Sequence, residues 1–166
     1  MIKIRPVPEA VNHQSFNYLM VTWLYSGRIR PMSGTWGSLA ALPFCWAISV
    51  TLGQMGLIVF GLALFIVGLK ALKDYLPRAG NTDPSEVVID EVIGMAIMWL
   101  FLPSNNFWPI VLGFIVFRLF DSVKAGPVGW CDQNIKGPLG VIMDDVVAGL
   151  LAGILILIGH LALRSL

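Results

Sequence analysis

A chain of 166 residues that is 57% hydrophobic and 13% charged, with mean hydropathy +0.78, is too poor in charge to cover a small water-soluble domain. The same composition excludes disorder, and a net charge of +1 argues against nucleic-acid binding. Cys45 and Cys131 stand far apart without a CxxC or a histidine partner, which argues against a disulfide scaffold or a zinc site.

Residues 1–30 form an N-terminal segment ahead of a helical core at 31–166, and both are expected to belong to one membrane-embedded domain. Within the first segment, Ser15–Tyr25 carries Phe16, Tyr18, Leu19, Trp23 and Tyr25 between polar flanks, which predicts an interfacial helix. It does not read as a signal peptide, because the apolar run starts late and lacks a small-residue cleavage site. No charge then occurs over Pro31–Leu69, Val92–Phe117 or Val146–Leu163, gaps of 39, 26 and 18 residues. Gaps of that length can hold membrane-crossing helices. The first breaks at Thr51-Leu-Gly-Gln-Met-Gly56, predicting a hairpin of Thr35–Val50 and Leu57–Leu72. The second breaks at Leu102-Pro-Ser-Asn-Asn-Phe-Trp-Pro109, predicting a hairpin of Ser85–Phe101 and Trp108–Lys124. A last helix is expected over Gly140–Leu163. The fold class is therefore an all-α integral membrane protein with about five spans, in two hairpins plus a C-terminal helix.

Lys70, Lys73, Arg78, Arg118, Lys124, Lys136 and the early Lys3, Arg5, Arg28 and Arg30 fall on one side of this topology, whereas the two opposite turns carry no charge. The positive-inside tendency turns the charged side to the cytoplasm. On that side the polar helix ends converge. Six of the ten acids, Asp90, Glu91, Asp121, Asp132, Asp144 and Asp145, lie within 56 residues of sequence. Carboxylates gathered under lipid headgroups repel one another and call for a cation. Mg²⁺ suits oxygen ligands without sulfur or a histidine cluster.

Each acid also has a plainer reading. Asp90 and Glu91, like Asp144 and Asp145, can favour a helix start through the positive end of its dipole. Asp121 sits at the wrong end of its helix for that, with Arg118 three residues before and Lys124 three after, so an ion-pair ladder and an ion or phosphate site both remain open. Asp132 reads as a loop residue. Arg118, Lys124 and Lys136 are candidate phosphate-binding cations. Gly34, Thr35 and Gly37 sit where a helix N-terminus would favour an anion, although Thr35 can be a cap and Gly37 a packing site. Gly94, Gly149 and Gly153 read as close-packing positions. His13 and His160 lack carboxylate partners, and no GxSxG or Cys–His signature appears.

Four segments, Gly34-Thr-Trp-Gly-Ser-Leu-Ala-Ala-Leu-Pro43, Asp90-Glu-Val-Ile-Gly-Met95, Phe117-Arg-Leu-Phe-Asp121 with Lys124, and Lys136-Gly-Pro-Leu-Gly-Val-Ile-Met-Asp-Asp-Val-Val-Ala-Gly149, together resemble the phosphatidylglycerophosphatase A family of bacterial membrane proteins. The resemblance implies a multi-pass protein of the bacterial inner membrane with its active site facing the cytoplasm. Its expected reaction, in phosphatidylglycerol synthesis, is Mg²⁺-dependent hydrolysis of the terminal phosphate of phosphatidylglycerophosphate, giving phosphatidylglycerol and inorganic phosphate. Two departures stand out: Lys124-Ala-Gly-Pro127 where the family usually has Lys-Pro-x-Pro, and Arg30-Pro-Met-Ser-Gly34 where Pro-Gly often precedes the threonine.

The expected ligands of Mg²⁺ are Asp90, Glu91, Asp144 and Asp145, with Asp121 completing the set or orienting water. Arg118, Lys124 and Lys136 would neutralise phosphate oxygens. Attack by water and an aspartyl-phosphate on Asp121 are the two mechanistic alternatives. The expected partners are an anionic phospholipid and the bilayer, with homo-oligomer formation left open. A membrane phosphotransferase joining an activated lipid to an alcohol is the rival enzyme, weakened by the absence of its Asp-Gly-x-x-Ala-Arg pattern. A small ion-coupled transporter is the rival without chemistry, and would instead need acids strung along a path across the membrane.

Overall fold

A computed structural model describes residues 2–7, 11–80 and 84–165. The architecture is mostly helical: α1 (Phe16–Val21), α2 (Ser33–Ala79), α3 (Ile89–Trp99), α4 (Phe107–Val123), α5 (Pro127–Asn134) and α6 (Gly137–Arg164). Two short strands, β1 (Lys3–Ile4) and β2 (Ile29–Arg30), pair antiparallel with Lys3 opposite Arg30. This small ribbon and the helix α5 were not anticipated. Two helices, α2 and α6, are long and apolar enough to cross a membrane.

The 47 residues of α2 would reach about 70 Å as a straight rod, more than twice the ~30 Å of a hydrocarbon core. They do not run straight. Gly53 takes φ 65° and ψ −159°, a conformation that interrupts the helix and that residues with a Cβ rarely adopt. The Trp23 ring lies 5.1 Å from Phe44 and 6.2 Å from Phe60, which an unbroken helix would hold about 24 Å apart. The arms 33–52 and 54–79 therefore fold back on each other, as the glycines at the expected break suggested. Gln54 Nε2 donates to the Leu100 carbonyl at 3.3 Å, so this turn meets the C-terminal end of α3. At the opposite end, the start of α2 meets the start of α3, where Gly37 fits against Val88.

Helix α3 is the central post, with Ile89, Val92, Ile93, Met95, Ala96, Met98 and Trp99 all buried. Its closest partnership is with α6. A Cβ on Gly94 would lie 2.6 Å from the Phe117 ring and 2.7 Å from the Asp145 carbonyl oxygen, so glycine lets three helices converge there. The helix is shorter than the expected Ser85–Phe101. Val88 is held out of the helical conformation, with φ −148° and ψ 9°, and its N–H donates to the Val21 carbonyl at 2.8 Å, which delays the start. At the other end, Leu100, Phe101 and Leu102 donate three residues back, tightening the last turn before Pro103.

The polarity of the bundle is inverted relative to a soluble protein. Val59, Leu62, Ile115, Leu119, Ile154 and Ile158 are exposed, while Asp144 and Asp145 are buried. Long apolar helices with exposed aliphatic faces are satisfied by lipid, which makes this a membrane-associated fold.

The expected interfacial helix over Ser15–Tyr25 is corrected to the six residues of α1, capped by the Ser15 hydroxyl, which accepts the Tyr18 N–H at 3.2 Å. Trp23, Leu24 and Tyr25 take positive φ and cannot continue it. Tyr18 is buried against Tyr75, and Asn17 donates to Asp74 at 2.8 Å, so α1 docks on the second arm of α2. Asp132, expected in a loop, lies on α5, whose first residue Pro127 has the φ a helix start requires. Helix α6 begins at Gly137, three residues before the expected Gly140.

Candidate active site

The starts of α3 and α6 and the end of α4 surround a cavity of about 450 Å³. Its walls include Asp90, Glu91, Asp121, Asp132, Asp144 and Asp145, so all six acids grouped by the sequence border one space. Lys124 and Lys136 line it too, with Ser33, Ser85 and the backbone around Gly137 and Gly140.

Local bonding prepares each acidic pair. The Asp90 carboxylate accepts the Glu91 N–H at 3.1 Å, and Asp144 accepts the Asp145 N–H at the same distance. One carboxylate oxygen each from Asp90, Glu91 and Asp145 lies within 4.8 Å of the other two, close enough to share one ion. Two buried oxygens of this trio, Glu91 Oε2 and Asp145 Oδ1, have no hydrogen-bond partner among the described residues. Buried carboxylate oxygens left unsatisfied are costly, and a hard divalent cation with oxygen preference satisfies both. The donor set therefore fits Mg²⁺.

The other two acids expected as ligands are differently engaged. Asp121 pairs with Arg118 at 2.6 Å, the i,i+3 pair that the sequence suggested. Arg118 Nη1 also lies 3.9 Å from Glu91 Oε1 and 3.5 Å from the Ser38 hydroxyl, while its Nε is buried and unpartnered among the described residues. Asp144 accepts from Lys124 Nζ at 2.9 Å. Lys124 ends α4 with φ 49° and ψ 41°, and its ammonium also reaches Asp132 at 2.5 Å instead of pairing with Asp121. Burial lowers the Lys124 pKa, but hydrogen bonds to Asp132 and Asp144 outweigh it and the net shift is upward. Lys124 thus stays protonated at neutral pH. Lys136 Nζ donates to the Asp132 carbonyl at 3.3 Å.

The glycine-rich start of α2 serves the site differently from expectation. The Thr35 and Trp36 amides both donate to the Met32 carbonyl, so they are not free for an anion. The Thr35 hydroxyl is buried without a partner among the described residues, yet Thr35 is not part of the cavity wall. A Cβ on Gly34 would run into Glu91 Oε1 and lie 3.0 Å from Arg118 Nη2, so this glycine lets α2 approach the Glu91–Arg118 pair. Gly37 abuts Val88 and is a packing residue outside the cavity wall.

Sequence reasoning did not mark Ser33, Ser38 or Ser85, whose short side chains carry no spacing signal. Asp132 as a partner of Lys124 was within reach, because Gly126-Pro127 signals a turn into a helix that carries Asp132 back toward α4.

Six carboxylates face three cations here, counting Arg118 behind Asp121. A phosphate monoester, itself an anion, meets repulsion in such a space unless a metal shifts the balance. The arrangement is suited to holding a divalent cation beside a phosphoryl group, with Arg118 and Lys124 at its edge.

The sequence model for phosphatidylglycerophosphatase A matches residues 19–160. The chain is 37% identical over 144 residues to phosphatidylglycerophosphatase A of Escherichia coli K12, covering 86% of this chain and 83% of that protein. It is 30% identical over 139 residues to phosphatidylglycerophosphatase A of Haemophilus influenzae, covering 84% and 85%. A Bacteroides thetaiotaomicron protein, provisionally named a phosphatidylinositol-3-phosphatase, is 46% identical over 88 residues, covering 51% and 54%. No solved structure matches. With a family match spanning most of the chain and two relatives similar over more than four-fifths of their length, this protein belongs to the phosphatidylglycerophosphatase A family.

Proposed function

We propose that this protein hydrolyses the terminal phosphate monoester of phosphatidylglycerophosphate in an Mg²⁺-dependent reaction, releasing phosphatidylglycerol and inorganic phosphate. The observation that carries this reading is the trio Asp90, Glu91 and Asp145, with buried unsatisfied oxygens, on the wall of a cavity that also holds phosphate-pairing cations. The spans are the two arms of α2, then α3, α4 and α6, and the cavity opens to the cytoplasm of the bacterial inner membrane. Helix α3, at 11 residues or about 16 Å, completes its span through the chain leading into and out of it.

Asp90, Glu91 and Asp145 would hold the cation. When bound, the ion supplies Lewis-acid polarisation of the phosphoryl group and raises the nucleophilicity of water. Arg118, oriented by Asp121, presents its fork to phosphoryl oxygens as negative charge grows in the transition state. Lys124, held by Asp132 and Asp144, provides a second fixed positive charge, and Lys136 a third at the rim. Asp121 is the group nearest in kind to a covalent nucleophile, but its pairing with Arg118 favours a positioning role and direct attack by water. Trapping an aspartyl phosphate on Asp121 during turnover would reverse that assignment.

The Bacteroides relative carries a different lipid phosphate in its name, which favours one second reading: the same chemistry on another phosphorylated headgroup. The experiment is phosphate release by the purified full chain in detergent, from phosphatidylglycerophosphate and phosphatidylinositol 3-phosphate, with Mg²⁺ and then with chelator. Release from the first lipid, lost on chelation and restored by Mg²⁺, is expected. No release from any lipid phosphate would remove the phosphatase reading.

A further inference from the structure

A second recess, of about 670 Å³, is lined by Lys3, Arg30, Pro31, Met32, Ser33 and Ser85. It shares Ser33 and Ser85 with the acidic cavity, so the two spaces meet at a wall two side chains wide. Their charges are opposite in kind. Among the described residues that line this recess, the charged ones are both cations, Lys3 and Arg30.

The strands that carry these cations are held in place. Lys3 and Arg30 face each other across the β1–β2 ribbon. Arg5, just beyond β1, pairs with Glu86 and with the Ser85 hydroxyl. Glu86 is 2% exposed, and its other carboxylate oxygen accepts the Tyr75 hydroxyl at 2.5 Å. This buried clamp ties the ribbon to the second arm of α2 and to the lead into α3. The Ser33 hydroxyl donates to the Ser85 carbonyl, and Arg30 Nη2 donates to the Ser85 hydroxyl at 3.0 Å. Among the described residues this is the one side-chain bond Arg30 makes, which leaves most of its donors for a ligand.

We propose that this recess binds the phosphodiester of the same lipid whose terminal phosphate enters the acidic cavity. The inference rests on the phosphatase reading and adds a specificity site to it. A diester monoanion offers two non-bridging oxygens, the pattern a guanidinium fork matches, and the carboxylates next door repel it. A headgroup with a diester and a monoester separated by glycerol can straddle the Ser33–Ser85 wall, one anion on each side. Lys3 and Arg30 thereby distinguish a lipid with two phosphates from one with a single terminal phosphate. A neighbouring anionic lipid carries the same diester chemistry, and the experiment separates the two sources.

The full chain in uncharged detergent is titrated with short-chain phosphatidylglycerol, which has the diester and no monoester, and with the matching diacylglycerol. Arg30→Gln and Lys3→Gln are each expected to weaken phosphatidylglycerol binding about tenfold, the loss of one charge-assisted contact, with partial recovery in Arg30→Lys. Diacylglycerol binding is unchanged. In turnover with the substrate as sole anionic lipid, Arg30→Gln raises KM for phosphatidylglycerophosphate about tenfold at constant kcat and leaves KM for phosphatidic acid unaltered. Undiminished phosphatidylglycerol binding, or equal losses with phosphatidic acid or diacylglycerol, overturns the proposal. A KM effect seen only after adding phosphatidylglycerol assigns the recess to a neighbouring lipid and overturns the substrate assignment. If the wild type binds phosphatidylglycerol through Arg30 but releases no phosphate, the diester site stands and the phosphatase reading fails.

Discussion

The two acidic pairs look alike in sequence and sit in different physical circumstances. Asp90-Glu91 occupies the first turn of α3, where unpaired N–H groups and the helix dipole favour negative charge. Asp144-Asp145 lies two turns inside α6, beyond the reach of that effect, and is buried. Helix stability therefore accounts for part of the first pair, although Glu91 too keeps a buried oxygen unsatisfied among the described residues, and leaves the second without a local cause. Asp144 is offset by Lys124, whereas Asp145 keeps a buried oxygen unsatisfied among the described residues. The difference teaches that Asp145 is the acid whose presence most needs a bound cation.

The largest test of that contrast is catalytic. Asp145→Asn and Glu91→Gln should each lower phosphate release about 10²–10³-fold, roughly 3–4 kcal/mol of transition-state stabilisation, with circular dichroism unchanged. Parallel loss of helicity would mean that the acids serve folding. Next in size, Gly94→Ala should destabilise the bundle by about 1–3 kcal/mol, because its Cβ has no room beside Phe117 and the Asp145 carbonyl. Thermal denaturation in detergent checks this, and Mg²⁺ should protect the variant less than the wild type. Lys124→Ala should cost about 1–2 kcal/mol, less than a fully buried pair because Lys124 is partly exposed, and the loss should be smaller in Asp144→Asn/Lys124→Ala. The smallest effect separates the pairs most directly. In metal-free protein, Asp145→Asn should raise stability by about 1 kcal/mol as a buried repulsion disappears. Asp90→Asn should change it by about 0.5 kcal/mol or less, since relief of repulsion offsets the lost dipole interaction. Equal effects would erase the distinction.

Much of this was legible in the residues. Charge-free gaps located the long helices, and the glycines near residue 53 marked the fold-back of α2. The excess of acids after residue 89 foretold one shared cavity because every pair fell on the same side of the expected topology. What periodicity could not supply were tertiary decisions. The Val88–Val21 backbone bond delays α3, and the positive φ values of Trp23, Leu24 and Tyr25 stop α1 where composition alone would continue it. The division of labour among the acids was equally hidden. Which carboxylates face a cation, and which are left for an ion, depends on Lys124 adopting a left-handed conformation, which the nearby Gly126-Pro127 turn signal does not assign to that residue.

The brevity of α3 has a consequence for how a lipid meets this protein. Its acids stand at its very head, while α6 continues from Asp145 back to Gly137, about 12 Å of further helix on the same side. A post cut short beside a taller neighbour leaves a step, and the carboxylates lie at its foot. On the proposed reaction a headgroup lowers its outermost phosphate to that foot, so length of reach joins charge in deciding how well a lipid is processed. Lipids whose terminal group is anchored close to the glycerol backbone, phosphatidic acid among them, would then reach the carboxylates less readily and turn over more slowly than phosphatidylglycerophosphate.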